Sequence, residues 1–376
     1  MNQRLLALLA ALLALCGFFA AQTPEFISSR NLSLVMIDFA ITATLAVGML
    51  LIILPGHIDL SAGSGVGLIG GISAVLVTNH HWPTPFAMLA GICAALLLWF
   101  TMGSLIVRER IPAFIITLGG LLVFKGLFWL VIQNHTVPVT IGGQPNLYSL
   151  LTTYYLPPAA GYGLAAAIVA LLVFAKVRAR SVRATAGLPS DDAELAFLKL
   201  FVAAQLIFLL VIITNQFRGV PLPALILGAV AFGVWLLTQH TPWGRYLYAI
   251  GGNEEAALIS GVPIARVTVA AFTLMGGIVA LTGLMQTAYG GASTTTVGDL
   301  MELDAVAACV IGGTSLRGGR GSVLGVLFGA LIMVALINGL TLMGVDPEVK
   351  FIARGAVLIT AVWMDVRLGR KQSSQY

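Results

Sequence analysis

The chain has 376 residues, of which 59% are hydrophobic and only 9% charged, and its formal net charge is +5. A water-soluble domain carries about 25% charged residues, so a soluble globular core is excluded. The basic excess sits in short stretches between apolar runs, which is the pattern of membrane orientation; a nucleic-acid partner is not expected.

Taken in chain order, the first three apolar runs meet or exceed the roughly 20 residues needed to cross a bilayer, and further candidate spans follow. Leu5 to Pro24 comes first. It resembles a signal peptide, but its length and the spans that follow favour an uncleaved first helix, and Leu15 before Cys16 speaks against lipoprotein processing. Phe39 to Ile58 and Leu60 to Val107 follow, the second being long enough for two spans that divide near Pro85. The next candidates are Pro112 to Ile132, Pro157 to Ala175, Leu200 to Thr214, Pro221 to Leu237, Val267 to Gln286, Val323 to Met343 and Phe351 to Met364.

Two glycine-rich stretches, Leu60 to Leu76 and Ala305 to Gly313, read either as full crossings or as broken half-helices. The fold class is therefore all-α, a polytopic transmembrane helical bundle of about ten to twelve crossings, forming a single domain over residues 1–376. Cys16, Cys93 and Cys309 lie in apolar segments without paired spacing, so they read as small buried hydrophobes and not as disulfides or metal ligands. His80 and His81 lack a partner at zinc-site spacing.

Orientation follows from Lys and Arg. Placing Arg108 and Arg110, the charged segment 176–199, the segment 245–266 and the Arg367/Arg370/Lys371 tail on one side gathers about a dozen of the 20 basic residues there, so that side reads as cytoplasmic. Segment 176–199 reads as a loop, a connector between spans. A faint likeness between "GHIDLSAGSG" and "GGTSLRGGRGS" suggests an inverted duplication.

The segment "RYLYAIGGNEEAALISGVPIARV" is polar and capped like a short helix. Asn253 is a good N-cap, Glu254 and Glu255 place negative charge on the first turn, and Gly261 with Pro263 ends the run. A helix of about two turns is not stable alone in water. Ala256, Ala257 and Ile259 offer it a small apolar face on which to pack.

Elsewhere, Gly63, Gly67 and Gly71 recur at i+4, leaving one helix face open to close backbone approach. Asp59 lies at a glycine-flanked break, where an ionisable group is costly unless paired. It reads either as a polar point on a transport path or as a cap for the helix beginning near Leu60. Lys125 reads as a partner for such a carboxylate or as a snorkelling side chain. Asp299, Glu302 and Asp304 form an acidic cluster after an outward-facing loop, either a docking patch or a solvated face. There is no Gly-x-x-x-x-Gly-Lys-Ser/Thr phosphate loop, so the chain does not bind ATP in the usual way, and no catalytic pair is recognisable.

Four stretches carry a family resemblance. "EAALISG" (Glu255 to Gly261) resembles the cytoplasmic loop of ABC importer permeases that docks on an ATPase subunit. "GHIDLSAGSGVGLIGG" (Gly56 to Gly71), "IPAFIITLGG" (Ile111 to Gly120) and "VIGGTSLRGGRGSVLG" (Val310 to Gly325) resemble signatures of the branched-chain amino acid and sugar permease family of binding-protein-dependent importers. His57 departs from the pattern, which has glycine there. Within the family, the basic segment before Leu200 and "NQFRGVPLPALI" (Asn215 to Ile226) look most like the D-xylose permeases.

The resemblance implies an inner-membrane permease for a monosaccharide, D-xylose above others, without a cofactor. It further implies a homodimer with the path at the subunit interface, a cytoplasmic ABC ATPase subunit and a periplasmic sugar-binding protein. Residues Asn253, Glu254, Glu255, Ala256, Ala257 and Gly261 would couple to the ATPase. His57, Asp59, Ser61, Gly63, Gly67 and Lys125 are candidates for the path or its helix packing. The rival reading is a self-contained ion-coupled sugar transporter. A single charge at one break, with no second buried acid in the same span, argues against it.

Overall fold

The computed structural model describes residues 3–187 and 193–373. It is a helical bundle in which α1 (Gln3–Gln22), α2 (Ser29–Ile53), α3 (Ala62–Thr78), α4 (Thr84–Glu109) and α5 (Ala113–Ile132) come first. The short α6 (Leu147–Thr153), then α7 (Pro158–Thr185), α8 (Ala193–Asn215) and α9 (Leu222–His240) follow. The chain closes with α10 (Pro242–Gly252), α11 (Glu254–Ile259), α12 (Ile264–Gly290), α13 (Met301–Ile311), α14 (Val323–Leu342) and α15 (Pro347–Ser373). Eight of the helices among the described residues are long and apolar enough to span a membrane, and Leu6–Gln22 and Ala62–Thr78 are shorter apolar helices.

Two departures from the sequence reading are physical. Segment 176–199, expected as a loop, is largely helical: α7 runs on to Thr185 and α8 begins at Ala193, with residues 188–192 outside those described. The run from Lys176 to Arg183 is apolar-poor but rich in good helix formers, so propensity carries the helix beyond the apolar stretch. Of the expected buried cysteines, Cys309 is buried, while Cys16 is half-buried and Cys93 exposed. The side chains of the Arg367/Arg370/Lys371 tail lie outside those described.

The centre of the bundle is α2, α3, α4 and α12. Glycines set its geometry. A Cβ on Gly283 would stand 2.6 Å from the Val66 carbonyl oxygen, and one on Gly276 would stand 2.7 Å from that of Ala95. Such backbone contact is open only to glycine or other small residues. The pairings fix direction: α3 runs parallel to α12, while α2 and α4 run opposite to it.

Helix α13 is a half-helix. Its 11 residues rise about 17 Å at 1.5 Å each, against roughly 30 Å of hydrocarbon. It is reached by a run of turns, residues 295–300, that leaves a small antiparallel ribbon, Val137–Pro138 with Ala292–Ser293, and descends along α3. Gly298, Val297 and Glu302 from this entry face Gly63 and Gly67. Helix α13 then packs antiparallel on α14, Gly312 against Gly325 and Ala308 against Gly329.

The two similar glycine motifs therefore occupy equivalent turns, one joining α2 to α3 and the other α13 to α14. The Gly319 N–H donates to the Leu54 carbonyl across them at 2.9 Å. Asn31 at the start of α2 bonds Asn338 near the end of α14, so α2 and α14 are antiparallel and both turns open at one end in the same sense. The likeness is thus not that of an inverted pair.

Candidate coupling end and polar chamber

The end of the bundle that carries both glycine turns also carries α10 and α11. Thr241 caps α10 by accepting from the Gly244 N–H at 3.1 Å. At the other end of α10, Gly251 lies directly on the Leu54 carbonyl and the Gly319 N–H, closer than any side chain would allow. The Tyr248 hydroxyl donates to the Gly321 carbonyl at 3.0 Å and accepts from the Gln239 amide at 2.9 Å. Backbone and side chain together clamp α10 to the α2 terminus and to the turn leading into α14.

Helix α11 projects from that clamp. The Asn253 carboxamide accepts from the Ala256 N–H at 2.9 Å, and Glu254 and Glu255 occupy the first turn, as the sequence pattern requires. Gly261 closes the helix at φ +79°, a conformation that suits glycine, while the Val262 N–H returns to the Ala257 carbonyl. Of the apolar face expected from Ala256, Ala257 and Ile259, one residue packs inward. Ala257 is buried, Ala256 is exposed, and Leu258 and Ile259 are 62% and 81% exposed. Two adjoining aliphatic side chains on a polar terminus form an apolar tip without an intramolecular partner among the described residues.

Behind the clamp, the Asp59 carboxylate is wholly buried. One oxygen accepts from the Ser61 N–H at 2.8 Å and the Ser61 hydroxyl at 2.6 Å; the other accepts from the Trp99 indole N–H at 2.7 Å. These bonds tie the approach to α3 to α4, but Asp59 is not the cap expected of it: Ser61 holds the N-cap position of α3, and no side chain caps that helix. The φ-positive residue of the turn is Gly56, at +90°, so His57 is accommodated without backbone strain; its ring lies 6.2 Å from that of Phe272. Gly63 and Gly67 do form a close-approach face, and the backbone received there is the run of turns entering α13 instead of another helix.

Lys125 does not reach Asp59. Its ammonium donates to the Thr295 carbonyl at 2.8 Å and pairs with Asp299, with the Trp129 ring 5.4 Å away. The acidic cluster divides its partners: Asp299 goes to Lys125, Asp304 pairs with Arg354 on α15 at 3.5 Å, and Glu302 is buried against Gly63. Glu302 is a second buried carboxylate contributed by a different element, which weakens the sequence argument against ion coupling.

A chamber of about 300 Å³ opens between α2, α12, the α13 entry, α14 and α15. Asp38, Gln286, Asn338 and Arg354 line it, and none of them was singled out from sequence. The signal was present, since each is a polar group inside an apolar run. Asp38 was missed because the apolar run was started at Phe39, whereas α2 begins nine residues before Asp38, at Ser29.

Residues 31–362 match the model of a family described as the branched-chain amino acid transport system / permease component. The chain belongs to this permease family. It is 37% identical over 372 residues to the xylose transport system permease protein XylH of Escherichia coli (strain K12), covering 99% of this chain and 94% of that protein. The XylH of Haemophilus influenzae (strain ATCC 51907 / DSM 11121 / KW20 / Rd) is 34% identical, with 98% of each chain covered. The ribose import permease protein RbsC of Escherichia coli (strain K12) is 30% identical over 95% of this chain and 92% of that protein. No solved structure gives a significant match.

Proposed function

We propose that this permease carries a monosaccharide, D-xylose above others, across the inner membrane as the membrane subunit of an ABC importer. Full-length similarity to permeases named for xylose supports the substrate, since those relatives align over nearly the whole chain at higher identity than the ribose permease. The end bearing α10, α11, Arg108, Arg110, Arg245, Arg266, Arg317 and Arg320 is cytoplasmic by the positive-inside rule.

The observation that carries the coupling role is the exposed Leu258–Ile259 tip on a clamped root. A cytoplasmic ABC ATPase subunit covers that tip. When the cassettes close, α11 moves, and Gly251 and Tyr248 pass the shift to the turns before α3 and α14, because backbone packed on backbone has no soft side chain to absorb it. A periplasmic sugar-binding protein delivers the sugar, and a second copy of the chain completes a homodimer. Initial uptake of labelled xylose, ribose, arabinose and galactose, with and without this gene in the source cell, tests the reading. Selective loss of xylose uptake is expected; retention of all four uptakes contradicts it.

A second reading, ion coupling, is favoured by one observation: Asp59 and Glu302 are both buried carboxylates near the start of α3. It differs in its energy source.

A further inference from the structure

We propose that Arg178, Arg180 and Arg183, at the cytoplasmic end of α7, form a binding surface for the phosphate headgroups of anionic phospholipids, which anchors the inner end of the α7/α8 pair. The inference goes beyond the transport reading and stands apart from the choice of substrate. Helix α7 has 28 residues, a length of about 42 Å at 1.5 Å each, against roughly 30 Å of hydrocarbon. Its apolar part ends at Ala175. Counted from Pro158, the three arginines stand about 30–38 Å along the helix axis. With Pro158 at the outer edge of the hydrocarbon, that is the depth of the inner headgroup layer.

The protein itself does not hold this end. At the outer end the pair is stapled to the bundle: the Leu156 N–H donates to the Val220 carbonyl at 2.8 Å, the Leu222 N–H donates to the Tyr154 carbonyl at 3.0 Å, and Ala165, Val211 and Val220 share a small core. Beyond Ala165, no described residue of α7 is buried. The side chains of Arg178, Arg180 and Arg183 have no ion pair or hydrogen bond among the described residues. Within segment 176–199, Lys176, the three arginines and Lys199 outnumber Asp191, Asp192 and Glu194, so a positive excess remains. Asp191 and Asp192 lie outside the described residues.

The chemistry favours lipid over a protein partner. Guanidinium forks match phosphate oxygens in a bidentate way, which an ammonium does not. Val177 and Val182, interleaved with the arginines, are 60% and 59% exposed, and Leu171 and Phe174 before them are exposed too. Such aliphatic groups sit at the acyl boundary while the arginine stems reach out to the phosphates. A basic stretch directly after a span is drawn to the negative surface of the cytoplasmic leaflet.

The test uses the purified full-length permease in phosphatidylcholine vesicles, with a fluorophore on Ser181→Cys in a Cys16→Ser, Cys93→Ser background; Cys309 is buried and stays unlabelled. A trace of phosphatidylglycerol or of phosphatidylcholine, each with a nitroxide high on its acyl chain, serves as the quencher. At equal amounts the anionic lipid is expected to quench about fivefold more, the scale of one arginine held at a charged surface. High salt should weaken the preference. Combining Arg178→Gln, Arg180→Gln and Arg183→Gln should erase it, since glutamine keeps the helix propensity and loses the charge. Unchanged quenching by phosphatidylcholine reports that position 181 of the variant still sits at the bilayer. Equal quenching by the two lipids in the parent overturns the proposal, as does a preference that survives the triple variant. Quenching that both lipids lose once the ATPase subunit is added assigns the surface to that subunit, and likewise overturns it.

Discussion

Helices α2 and α8 are both strongly apolar, and α8 is the more so, yet the most apolar window of α2 is 83% buried in protein and that of α8 only 11%. In a membrane the difference is not hydrophobicity, because lipid tails solvate Leu as well as a neighbouring helix does. What draws a helix inward is close packing of small residues and pairing of polar groups. Helix α2 has Gly48 against Ile278 and Met275, and Asn31 paired with Asn338. Helix α8 offers Phe197, Phe201, Leu206 and Leu209 to the outside and packs chiefly on α7.

That contrast is broken most strongly at a packed glycine. Gly283→Ala would set a Cβ 2.6 Å from the Val66 carbonyl oxygen, so α12 must move off α3 at a cost of about 3 kcal/mol. Gly163→Ala on α7, where no atom lies within 4 Å, should instead stabilise by about 0.5–1 kcal/mol through helix propensity. Reversible unfolding in detergent should give opposite signs for the two. Equal effects would mean that α7 is packed in a way the fold does not show.

Next in size is the Asp59 anchor. Asp59→Ala leaves the Trp99 indole and two Ser61 donors without an acceptor, for a loss of about 2–3 kcal/mol. Asp59→Asn keeps acceptor oxygen and should lose less. If both variants are fully stable and only transport fails, Asp59 belongs to the path and not to the framework.

Lys125→Met removes a pair whose aspartate is half exposed, so the expected loss of stability is at most about 1 kcal/mol. A larger loss would place Lys125 in the framework with Asp59. Smallest in stability is Glu255→Arg. It exchanges an exposed charge on the first turn of α11, worth about 0.3–1 kcal/mol, and should abolish ATP-coupled uptake with the protein still inserted and folded. Unchanged uptake would remove α11 from the coupling route.

Much of the bundle was legible in the sequence because membrane spans announce themselves by length. The α11 cap was legible too, since Asn253, the two glutamates and Gly261 each act locally. What covers the apolar tip was not legible: from six residues one cannot tell whether Ile259 packs inward or meets a partner. Lys125 paired with Asp299, not Asp59, because the run of turns entering α13 brings the later acid alongside α5, a long-range consequence of a half-helix too glycine-rich to place from sequence. The chamber escaped for a similar reason. Its polar residues are single interruptions in four separate helices, and only antiparallel packing of α2 on α14 brings Asp38 and Asn338 to one space.

The most direct test of the account is initial xylose uptake in the source cell after ATP depletion that leaves the proton gradient intact. The account predicts that this abolishes the uptake that depends on the gene. Gene-dependent uptake that survives ATP depletion and collapses with the proton gradient would contradict it, and would assign Asp59 and Glu302 to ion coupling.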